Sequence, residues 1–230
     1  MTKKIMEIVE KKFYQQILDI INSEDKYNVP EAIIHHIEDT DFSVEQSEVI
    51  SPWLIGFALK NRDNHDSEDE STMFFSVSSA IRTGASMLYS DQVELLFPLL
   101  ETGHPIDTSL VTVKMISRIF EAQPPSVLGE HKIVAEKMCE IADEILNGSS
   151  TKLSHVDVAL IQLCITSLIG MGSKKVYQVL EQFENKEKWM KSYILHNIKD
   201  LEKVWQKRKD PISEPMNEFI NETINFFEKE

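Results

Sequence analysis

Apolar residues return along this chain at the spacing of a helix rather than of a strand. Ile5, Val9, Phe13 and Ile17 recur every four residues. Widened by Ile8, Leu18 and Ile21, they predict a first helix from about Thr2 to Asn22. Pro30, followed by Ile33, Ile34 and Ile37, predicts a short second helix with Glu31 near its positive N-terminal end. Ser51-Pro52 reads as an N-cap with proline at the first helical position. The helix it opens runs through Trp53, Leu54, Phe57, Ala58 and Leu59. Another helix is expected from Ser71 to Thr83, through Met73, Phe74, Val77 and Ile81, with Gly84 ending or interrupting it.

The second half repeats the theme with clearer punctuation. Ser90 is placed as the cap of a helix from Asp91 to Glu101, bent by Pro98 and stopped by Gly103. Asp107 is placed as the cap of its partner, which runs through Leu110, Val113, Ile116 and Phe120 to the break at Pro124-Pro125. The next pair spans Leu128 to Leu146 and Ser154 to Met171, joined through Asn147-Gly148-Ser149-Ser150. Gly172 and Ser173 stop one helix and cap the next. A third pair spans Ser173 to Glu184 and Glu187 to Arg208, with Met190, Ile194, Leu201 and Trp205 facing inward. Asp210-Pro211 and Pro215 set off a last helix bearing Met216, Phe219, Ile220, Thr223 and Phe227. The reading is all-α, with ten or eleven helices and no strand.

Three of these helices share one apolar signature. Val93, Phe97 and Leu100 sit at i, i+4, i+7, as do Val134, Met138 and Ile141, and then Val176, Leu180 and Phe183. The anchors are 41 and 42 residues apart, the length of one helical hairpin with its connection. In period and helix polarity, residues 90–208 resemble the HEAT and armadillo repeats. That resemblance implies an α-solenoid of stacked hairpins that holds another protein along a curved face. The alternative is an irregular α-helical bundle. The expected organisation is one all-α domain over 1–230. An acidic helical section over 1–89 would precede hairpin repeats over 90–208 and a capping helix over 213–230.

Composition narrows the function. The net charge of −14 opposes nucleic-acid binding, which needs a basic surface, and equally opposes a polybasic membrane contact. The most apolar stretch, Val156 to Met171, contains Asp157, Gln162, Thr166 and Ser167 and is too short to span a bilayer. It reads as a buried central helix. The N-terminal residues lack the apolar core of a signal peptide. Cys139 and Cys164 lie among apolar residues without metal-ligand spacing, which suits reduced thiols in a cytoplasmic protein.

Charge is concentrated. Residues 31–70 hold eleven acids against Lys60 and Arg62, a net −9 of the chain's −14. The densest run, Arg62 to Glu70, has no apolar residue and reads as an exposed loop. Asp63, Asp66, Glu68, Asp69 and Glu70 are therefore the candidate contact for a basic protein partner. An EF-hand reading fails for want of glycine and glutamate at the required positions.

His35-His36 followed by His65-Asp66 resembles the HD-type metal phosphohydrolases, which would imply a metal site, with Asp107 or Asp157 as further ligands. The His-Asp pair here sits in a polar run rather than on a packed helix, so no metal or cofactor is assigned. No phosphate loop, nucleophile elbow or His-Glu-x-x-His pair is present. The expectation is a non-catalytic protein-binding chain, such as an acidic inhibitor or immunity-type protein. A metal-dependent hydrolase and a structural subunit of a larger complex are the alternatives. The sequence does not set the oligomeric state.

Overall fold

The structure is a computed structural model that describes residues 3–62, 70–100, 106–148, 153–184, 190–207 and 212–228. Its elements are all helical. In order they are α1 (Lys3–Ile21), α2 (Glu31–Glu38), α3 (Val44–Asn61), α4 (Glu70–Ser86) and a 3-10 helix (Ser90–Leu100). There follow α5 (Ile106–Ala122), α6 (Lys132–Gly148), α7 (His155–Gly170), α8 (Val176–Glu184), α9 (Met190–Gln206) and α10 (Glu214–Glu228). The all-α class and the number of helices agree with the sequence pattern. The chain forms two compact units, Met1–Leu88 with Leu95–Thr108, and Tyr89–Glu94 with Ser109–Glu230.

In the first unit, α4 packs on α2 and α3. Ile34, Ile37, Ile50, Leu54, Ala58 and Ile81 are fully buried there. The α3–α4 contact depends on small residues. A side chain at Gly84 would place its Cβ 3.2 Å from Leu54 Cβ and 3.3 Å from Ile55 Cγ1. Ser51 Oγ donates to the Gly84 carbonyl at 2.8 Å. Gly84 therefore neither ends nor interrupts α4; it lets the two helices approach.

Ser51-Pro52 does not start α3. The helix begins one Pro-free turn and more before it, at a capping box. Ser43 Oγ accepts from the Gln46 amide at 3.3 Å, and Gln46 Oε1 accepts from the Ser43 amide at 2.9 Å. Pro52 lies inside the helix on its exposed side, where the missing amide leaves a carbonyl to water.

The first of the three recurring triads also forms differently. Residues 90–100 make a 3-10 helix, and its fully buried residues are Val93, Leu96 and Leu99, at a spacing of three. Phe97 is only half-buried. Side chains three apart eclipse in a 3-10 helix, so this spacing puts them on one side. Pro98, whose ring would clash with the carbonyl four residues back in an α-helix, disfavours the α-helical alternative. Ser90 lies inside this helix, and its start is tied by Tyr89, whose carbonyl accepts from Gln92 N at 2.9 Å.

In the second unit, α7 packs against α6, α8 and α9. It is buried on nearly every side, through Val158, Ile161, Cys164, Ile165, Leu168 and Ile169, as its continuous apolar sequence requires. Val134, Met138 and Ile141 face the core on α6, and Val176 and Leu180 on α8. Phe183, the last member of the third triad, lies outside the residues whose side chains are described.

Gly172 closes α7 in a Schellman arrangement: its amide reaches the Ile169 carbonyl and the Ser173 amide reaches Leu168, both at 2.9 Å. Its φ of +63° is the left-handed conformation this turn needs. Because Ser173 completes that cap, α8 starts later than the sequence suggested, at Val176. Likewise α6 starts at Lys132 rather than Leu128, because Gly129, at φ +73°, turns the chain first.

Candidate functional site

The candidate contact residues Asp63, Asp66, Glu68 and Asp69 lie outside the described residues, as does His65. Glu70 opens α4, but its side chain is also outside them. What the structure does fix is the point from which that acidic run departs. Asn61 is buried at the end of α3, and its Nδ2 donates to the Phe57 carbonyl at 2.9 Å and to the Tyr27 carbonyl at 3.1 Å. Trp53 Nε1 donates to the Lys26 carbonyl at 2.8 Å, holding the α1–α2 connection against α3. Arg62 Nη1 donates to the Pro98 carbonyl. Three side chains of α3 and its C-cap thus anchor the root of the run.

A second acidic stretch is fully described. Glu31, Glu38, Asp39, Asp41, Glu45 and Glu48 occur between residues 31 and 59 with no Lys or Arg among them. All but the half-buried Glu31 are exposed. On α3, Glu45, Glu48, Val49 and Pro52 form an exposed stripe at i, i+3, i+4, i+7. Glu45 is held below the usual carboxylate range by its own backbone amide at the helix start, then by the Ser43 hydroxyl. These residues fix an anionic surface near neutral pH.

Among the described residues, the ion pairs on this surface run to two groups. His35 lies 3.1 Å from Glu31 and 3.7 Å from Glu38. Arg82 lies 3.5 Å from Glu38, which also accepts from Ser79 Oγ at 2.9 Å. These contacts bind α2 to α4 and pull Glu38 toward the helix pair. The signal for this surface was present in the sequence as the unbroken run of acids, yet the choice of 63–70 gave weight to the densest part alone.

The histidines divide. His35 serves the carboxylates of its own helix, whereas the His36 ring stands edge-on to Phe13 at 4.2 Å. Asp157, one of the trial metal ligands, is occupied as a helix cap: its Oδ2 accepts from the Ser154 amide at 2.9 Å. The Asp107 side chain lies outside the described residues. Among the described residues, no group of three or more His, Cys, Asp and Glu side chains is placed to hold a metal ion. None of the described helices is long and apolar enough to cross a membrane.

The second unit presents a different surface, with charges in pairs. Glu136 lies 4.0 Å from Lys132 and 3.9 Å from Lys175, and Lys137 lies 3.2 Å from Glu140. Asp200 lies 3.2 Å from His196 and 2.9 Å from Lys203. The Lys203 contact holds the Asp200 carboxyl below its ordinary value. The thiols lie deep: burial pushes Cys164 far up, and Cys139, half-buried, is raised for the same reason. Neither is set up as a nucleophile.

No family model, no curated protein and no solved structure matches the chain.

Proposed function

We propose that this chain is a non-catalytic protein-binding protein. In this reading its second unit is a short stack of helical hairpins of the HEAT or armadillo kind, and its acidic first unit engages a basic protein as an inhibitor or immunity-type protein would. One observation supports it above others. Alternate helices of the second unit are neighbours, α6 beside α8 and α7 beside α9. Phe120 of α5 reaches Gly170 of α7, where an added Cβ would stand 3.1 Å from the Phe120 Cβ. Successive hairpins laid side by side produce such a pattern, with first helices in one layer and second helices in the other.

The charge supplies the second part of the reading. A segment, residues 31–70, that carries a net −9 of the chain's −14 draws a basic partner by long-range attraction and orients it on approach. The experiment is capture of a partner from the native host, followed by titration against two proteins. One is the native chain; the other carries Asp63→Asn, Asp66→Asn, Glu68→Gln, Asp69→Asn and Glu70→Gln. The native chain is expected to bind a basic protein, with affinity falling steeply as salt rises from about 0.05 to about 0.3 M. Equal affinity of the two chains, or a partner with no basic surface, sinks the acidic contact.

A further inference from the structure

We propose that the elbow between α5 and α6 is a pH-sensitive latch, closed while the His131 ring rests on Phe120 and released by acid. Two helices of the second unit, α5 and α6, meet at this residue. Its ring stands edge-on to Phe120, near the end of α5, with centroids 4.8 Å apart. Its carbonyl accepts from the Ala135 amide at 3.0 Å, which makes it the residue from which α6 springs. Ser90, in the stretch Tyr89–Glu94 of the same unit, is tied to the end of α5, where the Gln123 side chain accepts from its amide at 3.0 Å.

The connection that delivers His131 buries Pro125 and holds a turn hydrogen bond from the Glu130 amide to the Val127 carbonyl at 3.3 Å. It passes Pro124-Pro125, exposes Val127 at 63%, and turns at Gly129, around which a Cβ would find nothing within 4 Å. Along it, Pro125 is buried, Leu128 packs against Gly172 and the His131 ring packs on Phe120.

Charge at this ring is opposed. Burial against Phe120 disfavours the imidazolium and holds His131 below its ordinary value, outweighing Glu130 on the connection and Asp91 on the 3-10 helix, which favour the cation. The ring also sits at the N-terminus of α6, whose partial positive charge repels a proton there. From α5 it meets the neutral Phe120 ring. The folded state therefore prefers neutral His131. Its contribution is complete above the ordinary imidazole value of 6.5 and is lost as pH falls from there toward the lower folded value. Acid thus favours a state in which the ring has left Phe120 and the first turn of α6 has loosened.

The test is amide hydrogen exchange, corrected for intrinsic rates, from about pH 7.5 to about pH 5. It is read alongside the titration of the His131 ring by NMR. Protection over residues 132–138 is expected to fall at least about twofold with acid, at the midpoint of the His131 titration, while that of α10 stays level. In His131→Gln and His131→Phe the fall disappears. Flat protection in the native chain, or a midpoint that differs from that of His131, overturns the proposal. So does the same fall in either variant. The midpoint comparison stands on the native chain alone and decides the matter if neither variant folds.

Discussion

Replacing Gly172 by alanine tests the packing of the second unit at a close approach of three segments. Two separate costs meet there. The left-handed φ of +63° penalises any Cβ by roughly 1–2 kcal/mol. The added methyl would also stand 2.5 Å from Leu128 Cδ2 and 2.9 Å from Met216 Sδ. Leu128 is half-buried and can swing outward, but Met216 is 0% exposed, so its thioether has to find another rotamer inside a packed core. Overpacking of this kind costs about 1–3 kcal/mol. Together the loss is roughly 2–5 kcal/mol, a large part of the ~5–15 kcal/mol that holds an ordinary domain.

Two other glycines separate the terms. Gly129 has φ +73° with nothing within 4 Å of its would-be Cβ, so Gly129→Ala carries the backbone cost alone, roughly 1–2 kcal/mol. Gly148 closes α6 without a positive φ and in open space, so Gly148→Ala is neutral or stabilising by up to about 1 kcal/mol. Urea unfolding followed by far-ultraviolet circular dichroism ranks the three. If Gly172→Ala costs no more than Gly129→Ala, Leu128 and Met216 do not crowd this turn and the packing argument is wrong.

Other expectations follow from single contacts. Ser43→Ala removes the hydroxyl that caps α3 and should lower the stability of the first unit by about 1 kcal/mol in the same urea assay. An unchanged midpoint would mean that α3 does not depend on its capping box. Thiol titration with an aromatic disulfide reagent should find Cys139 slow and Cys164 silent until the chain is unfolded, since burial raises both thiols and leaves Cys164 0% exposed. Rapid reaction of both in the native protein would contradict the packing of α6 on α7.

That the elements are helical, and how many there are, was legible because apolar spacing is a local property, written every three to four residues. Boundaries were legible where one residue had one use. Pro30 before α2 and Gly172 after α7 each had a single plausible role. They misled where a residue had two. Ser51-Pro52 has the form of a helix start, but Ser43 and Gln46 hold the true cap, and Ser51 is spent on Gly84 of another helix. Residues 93–100 carry both the α spacing Val93-Phe97-Leu100 and the 3-10 spacing Val93-Leu96-Leu99. Burial selected the second.

The acidic character of the candidate surface was plain from composition, since like charges without bases between them must face solvent. Its extent was not. Residues 63–70 were chosen for density, whereas Glu38, Glu45 and Glu48 acquire their places from α2 and α3 packing on α4. The sequence alone determined an all-α, strongly anionic chain, because backbone preference, apolar period and net charge are local or additive. The tertiary structure decided which helices are neighbours, which serine caps and which serine bridges, and where His131 meets Phe120. Those depend on residues as far apart as Ser51 and Gly84, or Glu121 and Trp205, finding each other when water leaves the core.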